Sequence, residues 1–136
     1  GVAPRDAVSY APFTHAEGIV EKATGEVPFN APKAELDAIK AKDFGPYASK
    51  KQGTLPVDFL ADLDITGGNS GSPALDGNGQ LVGLAFDGNW ESVSGDWLFN
   101  PRLNRSIQVD VRYMLWVMDH LDHADNLLQE MGVGKR

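Results

Sequence analysis

Thr66-Gly67-Gly68-Asn69-Ser70-Gly71-Ser72-Pro73 sets Ser70 among three glycines and ahead of a proline, directly after an apolar, strand-like segment. In acyl transfer a serine oxygen must stand clear of the backbone with neighbouring amide N–H groups turned toward the developing oxyanion, and glycines permit that crowding at little steric cost. On this reading Ser70 is a nucleophile. Taken alone, the octapeptide reads as an ordinary glycine-rich turn, so the sequence around it has to decide.

Downstream, Pro73-Ala74-Leu75, Asp76-Gly77-Asn78-Gly79 and Gln80-Leu81-Val82-Gly83-Leu84-Ala85-Phe86 form a strong hairpin signal. Asp-Gly and Asn-Gly readily take the positive φ angles of a tight hairpin. Upstream, residues 54–63 alternate apolar and polar through Val57, Phe59 and Ala61, as a half-buried strand does. Residues 32–42 have helix character, with Pro32 in the first turn, Leu36 and Ile39 on one face and Gly45-Pro46 as a stop. Residues 18–23 read as a short strand ending at Thr24-Gly25, and residues 8–10 as another. After a long loop over residues 90–105 with two tryptophans, residues 106–109 are expected as a strand. Asp110 then offers an N-cap for a helix whose apolar face is Val111, Met114, Leu115, Met118 and Leu121, and Gly132 closes a second helical segment after Leu127 and Leu128. The expected fold is mainly β, a small barrel with a C-terminal α-helix. It is expected to form a single domain over residues 1–136, with strands and serine turn over about 1–109 and the terminal helix over about 110–131.

The 136 residues suffice for one core and are too few for two ordinary domains. Hydrophobic residues at 42% with charged residues at 23% fit a globular protein, and no apolar run approaches the ~20 residues of a membrane span. A net charge of −7 with scattered basic residues argues against a nucleic-acid partner. With no cysteine there is no disulfide, no thiolate metal site and no cysteine nucleophile. No metal or cofactor is expected. His120 and His123, spaced i, i+3 among Asp119, Asp122 and Asp125, read as a solvated helix face, and His15 as a surface residue. The chain starts at Gly1 without a methionine, a basic segment or an apolar leader, and is expected to be an excised piece of a longer protein.

The turn Gly68-Asn69-Ser70-Gly71-Ser72-Pro73 is similar to the Gly-Asp-Ser-Gly-Gly-Pro pattern of chymotrypsin-like peptidases, with Asn for Asp and Ser for the second Gly. It differs from the α/β-hydrolase elbow, which needs Gly-x-Ser-x-Gly and a following helix. With Gly83-Leu84-Ala85-Phe86-Asp87-Gly88-Asn89-Trp90-Glu91 and Val109-Asp110-Val111-Arg112-Tyr113, the match narrows. The chain resembles the C-terminal end of the bacterial dipeptidyl-peptidases of the chymotrypsin clan, the type of dipeptidyl-peptidases VII and XI.

That resemblance implies the second half of a chymotrypsin-like double β-barrel. It implies Ser70 as nucleophile, the N–H groups of Gly68 and Ser70 as oxyanion hole, and a catalytic His and Asp supplied upstream of this chain, so that the isolated fragment is inactive. It further implies Asp87 as the anchor for the substrate's α-ammonium and Gly88 as a P1-pocket position. Relatives with Arg there accept acidic P1 residues, whereas Gly implies an apolar P1 preference. The implied partners are a peptide substrate and the rest of the same peptidase, the intact enzyme a homodimer, and the location the periplasm or cell surface. Asp64, six residues before Ser70, sits at the offset that selects basic P1 residues in trypsin-like enzymes; here it is expected instead to accept turn N–H groups. Asn69 carries no charge, which rules out activation by an ammonium–carboxylate pair at that position. Two other classes compete: a non-enzymatic β-barrel interaction module, and a fragment of a chymotrypsin-like endopeptidase.

Overall fold

A computed structural model of the chain describes residues 11–133. Five strands form one sheet in the order β1-β2-β5-β4-β3, with β1 Phe13–His15, β2 Pro56–Ala61, β3 Pro73–Leu75, β4 Leu81–Gly88 and β5 Ser106–Asp110. The β2–β5, β5–β4 and β4–β3 pairs are antiparallel. The helices are α1 Ala16–Lys22, α2 Lys33–Lys40, α3 Val111–Trp116 and α4 Asp125–Glu130. This is the sheet-and-helix class expected from the sequence. The strand expected at residues 8–10 lies outside the described residues.

One expectation is overturned: residues 18–23 are not a strand but most of helix α1. Ala16, Ile19 and Val20 are spaced i, i+3, i+4, and Ala16 is fully buried with Ile19 and Val20 packed on the same core. That helical stripe outweighs the β-branched preference of Ile19-Val20. Glu17, in the first turn, takes the Thr54 hydroxyl at 2.6 and 2.8 Å. Burial opposes the charge of Glu17, but the Thr54 bond and the backbone outweigh it and hold the carboxyl below its usual value.

The described residues fall into two compact units: residues 11–14 with 58–111, and residues 15–57 with 112–133. In the second, the core is Ala16, Ile39, Phe44, Leu55, Val57 and Trp116. Trp116 is fully buried, meets Phe44 edge-on at 6.2 Å and Tyr113 at 6.1 Å, and donates its indole N–H to the Asp43 carbonyl at 2.9 Å. The apolar face of the terminal helix is therefore centred on Trp116, with Tyr113, Val117 and Leu121 beside it, rather than on Met114 and Leu115. Past Trp116 the helix widens to a π-turn over Val117–Leu121, then breaks before α4. His120 is no freely solvated side chain: it stacks on Trp116 and lies 3.1 Å from Asp43 Oδ2.

The first unit contains the sheet's β3–β4 hairpin. Asp76 begins its turn, its Oδ1 accepting the N–H groups of Asn78 and Gln80 at 2.8 and 2.9 Å. Those two bonds hold the Asp76 carboxyl below the usual aspartate value. On β5 the buried side chains are Ser106, Gln108 and Asp110, while Ile107 and Val109 are only partly covered. The Ser106 hydroxyl donates to the Ala61 carbonyl at 3.3 Å and receives the Gln108 amide at 2.9 Å. Ala85 of β4 pairs with Gln108, but the next rung joins Asp87 to Ile107, so the strand carries an extra residue at Phe86.

Candidate active site

The serine turn is shaped by its own side chains. Asn69 donates its backbone N–H to the Thr66 carbonyl at 3.1 Å, and its Oδ1 accepts the Thr66 N–H at 2.8 Å, closing a ring around Gly67 and Gly68. Within and after that ring, Gly68 and Gly71 have φ of +102° and +87°, which a side chain would strain. Ser72 N–H bonds back to the Asn69 carbonyl at 2.9 Å, and the turn is fastened to β4 by Gly71 N–H to Ala85 O at 2.7 Å and Ala85 N–H to Ser72 O at 2.9 Å. Among the described residues, these bonds use the N–H groups of Asn69, Gly71 and Ser72 but none from Gly68 or Ser70. Ser70 itself is exposed.

Ser70, Asp87 and Gly88 line one cleft of about 320 Å³, together with Ile65, Thr66, Gly67, Phe86, Asn89, Ser92, Val93 and Asp96. Three of the four residues singled out in the sequence therefore meet in one place. Gly68 adjoins it in the turn without lining it. The strand bulge explains how Asp87 gets there. By strict alternation Asp87 would share the face of buried Gly83 and Ala85; the extra residue leaves Phe86 and Asp87 both exposed. Asp87 Oδ1 also takes the Gly88 N–H at 2.8 Å.

Gly88 faces the 3₁₀ turn Trp90–Ser94, where a Cβ would come within 3.0 Å of Ser92 Cβ. The tip of that turn and its continuation expose Trp90, Val93, Trp97 and Leu98. Asp96, on the same segment, accepts the Thr66 hydroxyl at 2.6 Å and so ties the serine turn to the loop. Sequence reading missed the roles of Ser92 and Asp96, within a stretch read only as loop, and of Asn89, which it placed in the family match without a role of its own. The signal available was the run Asp87-Gly88-Asn89 followed by Ser92, residue types that bond to nearby backbone.

Asp64 does not line the cleft, and in the serine turn the Thr66 N–H is taken by the Asn69 side chain. None of His15, His120 and His123 lines the cleft either. Of its described lining residues, Asp87 and Asp96 are acidic and none is basic. Among the described residues no cluster suits a metal ion, and no helix is long and apolar enough to cross a membrane.

Residues 1–133 match the Peptidase S46 family. An Asp/Glu-specific dipeptidyl-peptidase of Shewanella putrefaciens is 44% identical over 96% of this chain and 21% of its own length. A dipeptidyl-peptidase 7 of Phocaeicola vulgatus is 47% identical over 96% of this chain and 18% of its own. Among solved structures, DPP11 of Porphyromonas endodontalis in complex with the dipeptide Arg-Glu superposes with a TM-score of 0.92 at 37% identity, covering 99% of this chain and 19% of that one. The chain thus spans about a fifth of the length of the relatives it matches.

Proposed function

The chain belongs to the peptidase S46 family, and from that premise we propose that it is the nucleophile-bearing segment of a serine dipeptidyl-peptidase that removes dipeptides from free peptide N-termini. The observation that carries the reading is the single cleft shared by Ser70, Asp87 and Gly88. An enzyme that counts two residues from the N-terminus needs a nucleophile and an ammonium anchor at fixed separation, and a carboxylate in a partly enclosed cleft is suited to an ammonium group.

In this proposal Ser70 Oγ attacks the carbonyl carbon of the second residue as a base takes its proton. The oxyanion is held by the N–H groups of Gly68 and Ser70, which the turn leaves unbonded. Collapse expels the remaining peptide as an amine, and water then releases the dipeptide from Ser70. No histidine lines the cleft, so the base and its orienting acid are assigned to the remaining four-fifths of the longer enzyme. The isolated 136 residues are accordingly inactive. We read the sheet as the second barrel of a chymotrypsin-like pair, and the intact enzyme as a homodimer of the periplasm or cell surface.

For P1 we propose an apolar preference. Asp/Glu-specific and type 7 relatives match at 44% and 47% identity, so overall similarity does not separate them. Local chemistry supports the apolar choice: Gly88 adds no charge, and no basic residue is among the described residues that line the cleft.

The decisive experiment follows dipeptide release from N-terminally free peptides by the full-length enzyme and its Ser70→Ala variant. Wild type releases dipeptides and refuses N-acetylated peptides, and Ser70→Ala loses at least about 10³-fold in rate. Retained turnover in Ser70→Ala overturns the nucleophile assignment, and equal cleavage of blocked peptides turns the reading toward an endopeptidase.

A further inference from the structure

Asn89 spends its entire side chain on its neighbours. Its Nδ2 donates to the Leu103 carbonyl at 2.8 Å and to Glu91 Oε2 at 2.9 Å. Its Oδ1 accepts the Arg105 N–H at 2.9 Å and the Ser92 hydroxyl at 2.5 Å. A neutral carboxamide offers two donors and two acceptor lone pairs, so nothing remains for a ligand. The backbone adds two more bonds, Asn89 N–H to Arg105 O and Ser92 N–H to Asn89 O, each at 2.9 Å. Although Asn89 lines the cleft, it is therefore built to hold protein and not substrate.

What it holds is the strand end that carries Asp87. The β4–β5 ladder stops at the Gly88–Ser106 rung, and Asn89 continues the pairing one residue further by backbone and side chain together. On the other side of Asp87 lies the extra residue at Phe86, where the ladder is interrupted. A bulged strand loses local pairing and gains freedom to twist. Asp87 is thus held by its own rung to Ile107 and from its C-terminal side, and beyond the last rung the bonds that secure the strand end converge on one carboxamide.

We infer that Asn89 is a positioning residue: by tying the end of β4 to the backbone at residues 103 and 105, it keeps the bulge from relaxing and holds the Asp87 carboxylate in the cleft beside Ser70. The inference rests on the proposed reading of Asp87 as the ammonium anchor. It separates two functions that a general loosening of the site would couple, because the serine turn is closed by its own bonds between Thr66 and Asn69.

The test uses the full-length enzyme with a dipeptidyl chromogenic amide bearing a free N-terminus, its N-acetylated counterpart, and a fluorophosphonate that labels an activated serine directly. Asn89→Ala raises KM about tenfold or more with kcat within about threefold, while the labelling rate at Ser70 stays within about twofold of wild type. Asn89→Asp, which keeps both acceptor bonds and loses both donor bonds, falls between the two. An unchanged KM overturns the inference, and so does a parallel fall of kcat and labelling, which marks general disruption. Should Asn89→Ala fail to fold, Ser92→Ala removes one of the four side-chain bonds and leaves Asn89 in place. KM then rises about two- to threefold at unchanged labelling, and no rise overturns the inference. If wild type cleaves the acetylated substrate as readily as the free one, the ammonium reading itself fails. If wild type demands the free amine while Asn89→Ala keeps its KM, only the positioning role fails.

Discussion

A Cβ at residue 88 would lie 3.0 Å from the Cβ of Ser92, closer than carbon atoms pack without displacement. Ser92 cannot simply swing aside, because its Cβ is fixed by the 3₁₀ turn and its hydroxyl is engaged by Asn89 and by the Arg105 backbone. Gly88→Ala should therefore cost about 1–2 kcal/mol of overpacking. In a Ser92→Gly background the same substitution should cost at least about 0.5 kcal/mol less, a coupling that a double-mutant cycle in urea detects. Strict additivity would show that the two positions do not press on one another.

Acid should weaken the β3–β4 turn. The folded carboxyl of Asp76 is depressed by the N–H groups of Gln80 and Asn78, so its stabilising contribution is fully present above the unfolded-state value of about 3.9 and is lost as pH falls through the folded one. Below about pH 4, wild type should lose stability relative to an Asp76→Asn variant, whereas above pH 5 wild type should be the more stable of the two. Parallel stability curves for the two proteins between pH 6 and pH 2 would rule this out.

Trp116 is the anchor of the unit formed by residues 15–57 and 112–133. Truncation to alanine opens a cavity among Phe44, Tyr113 and Ile39 and strips the Asp43 carbonyl of its donor. The expected cost is about 3–5 kcal/mol, read as a fall in denaturation midpoint. Trp116→Phe, which keeps most of the volume and loses the N–H, should cost less than half as much. Equal losses in both variants would assign the effect to the hydrogen bond.

Trp97 is 94% exposed, and Leu98, Val93 and Trp90 beside it are 68–74% exposed. Exposed apolar side chains grouped on one segment favour association, so the isolated chain is expected to self-associate in a concentration-dependent manner by light scattering. Trp97→Ser with Leu98→Ser should shift it toward monomer. A monodisperse wild-type monomer at high concentration would contradict this.

What could be read in the sequence was what glycine, asparagine and aspartate punctuate. The serine turn, the Asp-Gly-Asn-Gly hairpin and the terminal helical region all declare themselves by residues that tolerate or cap unusual backbone. Helix α1 was misread because Ile19 and Val20 favour strands locally, and the stripe with Ala16 matters only once a core exists for it to face. The bulge at Phe86 had no local mark: Ala85-Phe86-Asp87 contains no glycine, and the extra residue is defined only against Gln108 and Ile107 on the partner strand. The roles of Asn89 and Ser92 were hidden for the same reason, since Leu103 and Arg105 are 13–16 positions away.

Strand β5 turns its serine, glutamine and aspartate inward and leaves Ile107 and Val109 on the wetter side. Hydrophobic collapse by itself favours the opposite arrangement, since a one-residue slip would hide both apolar side chains. The native alignment is selected by directional bonds such as that from Ser106 to Ala61, which give no reward until both partners are in place. Burial alone is thus a misleading guide to the register of this strand, and a one-residue slip of β5 would change the partner beneath Asp87 from Ile107 to a neighbour.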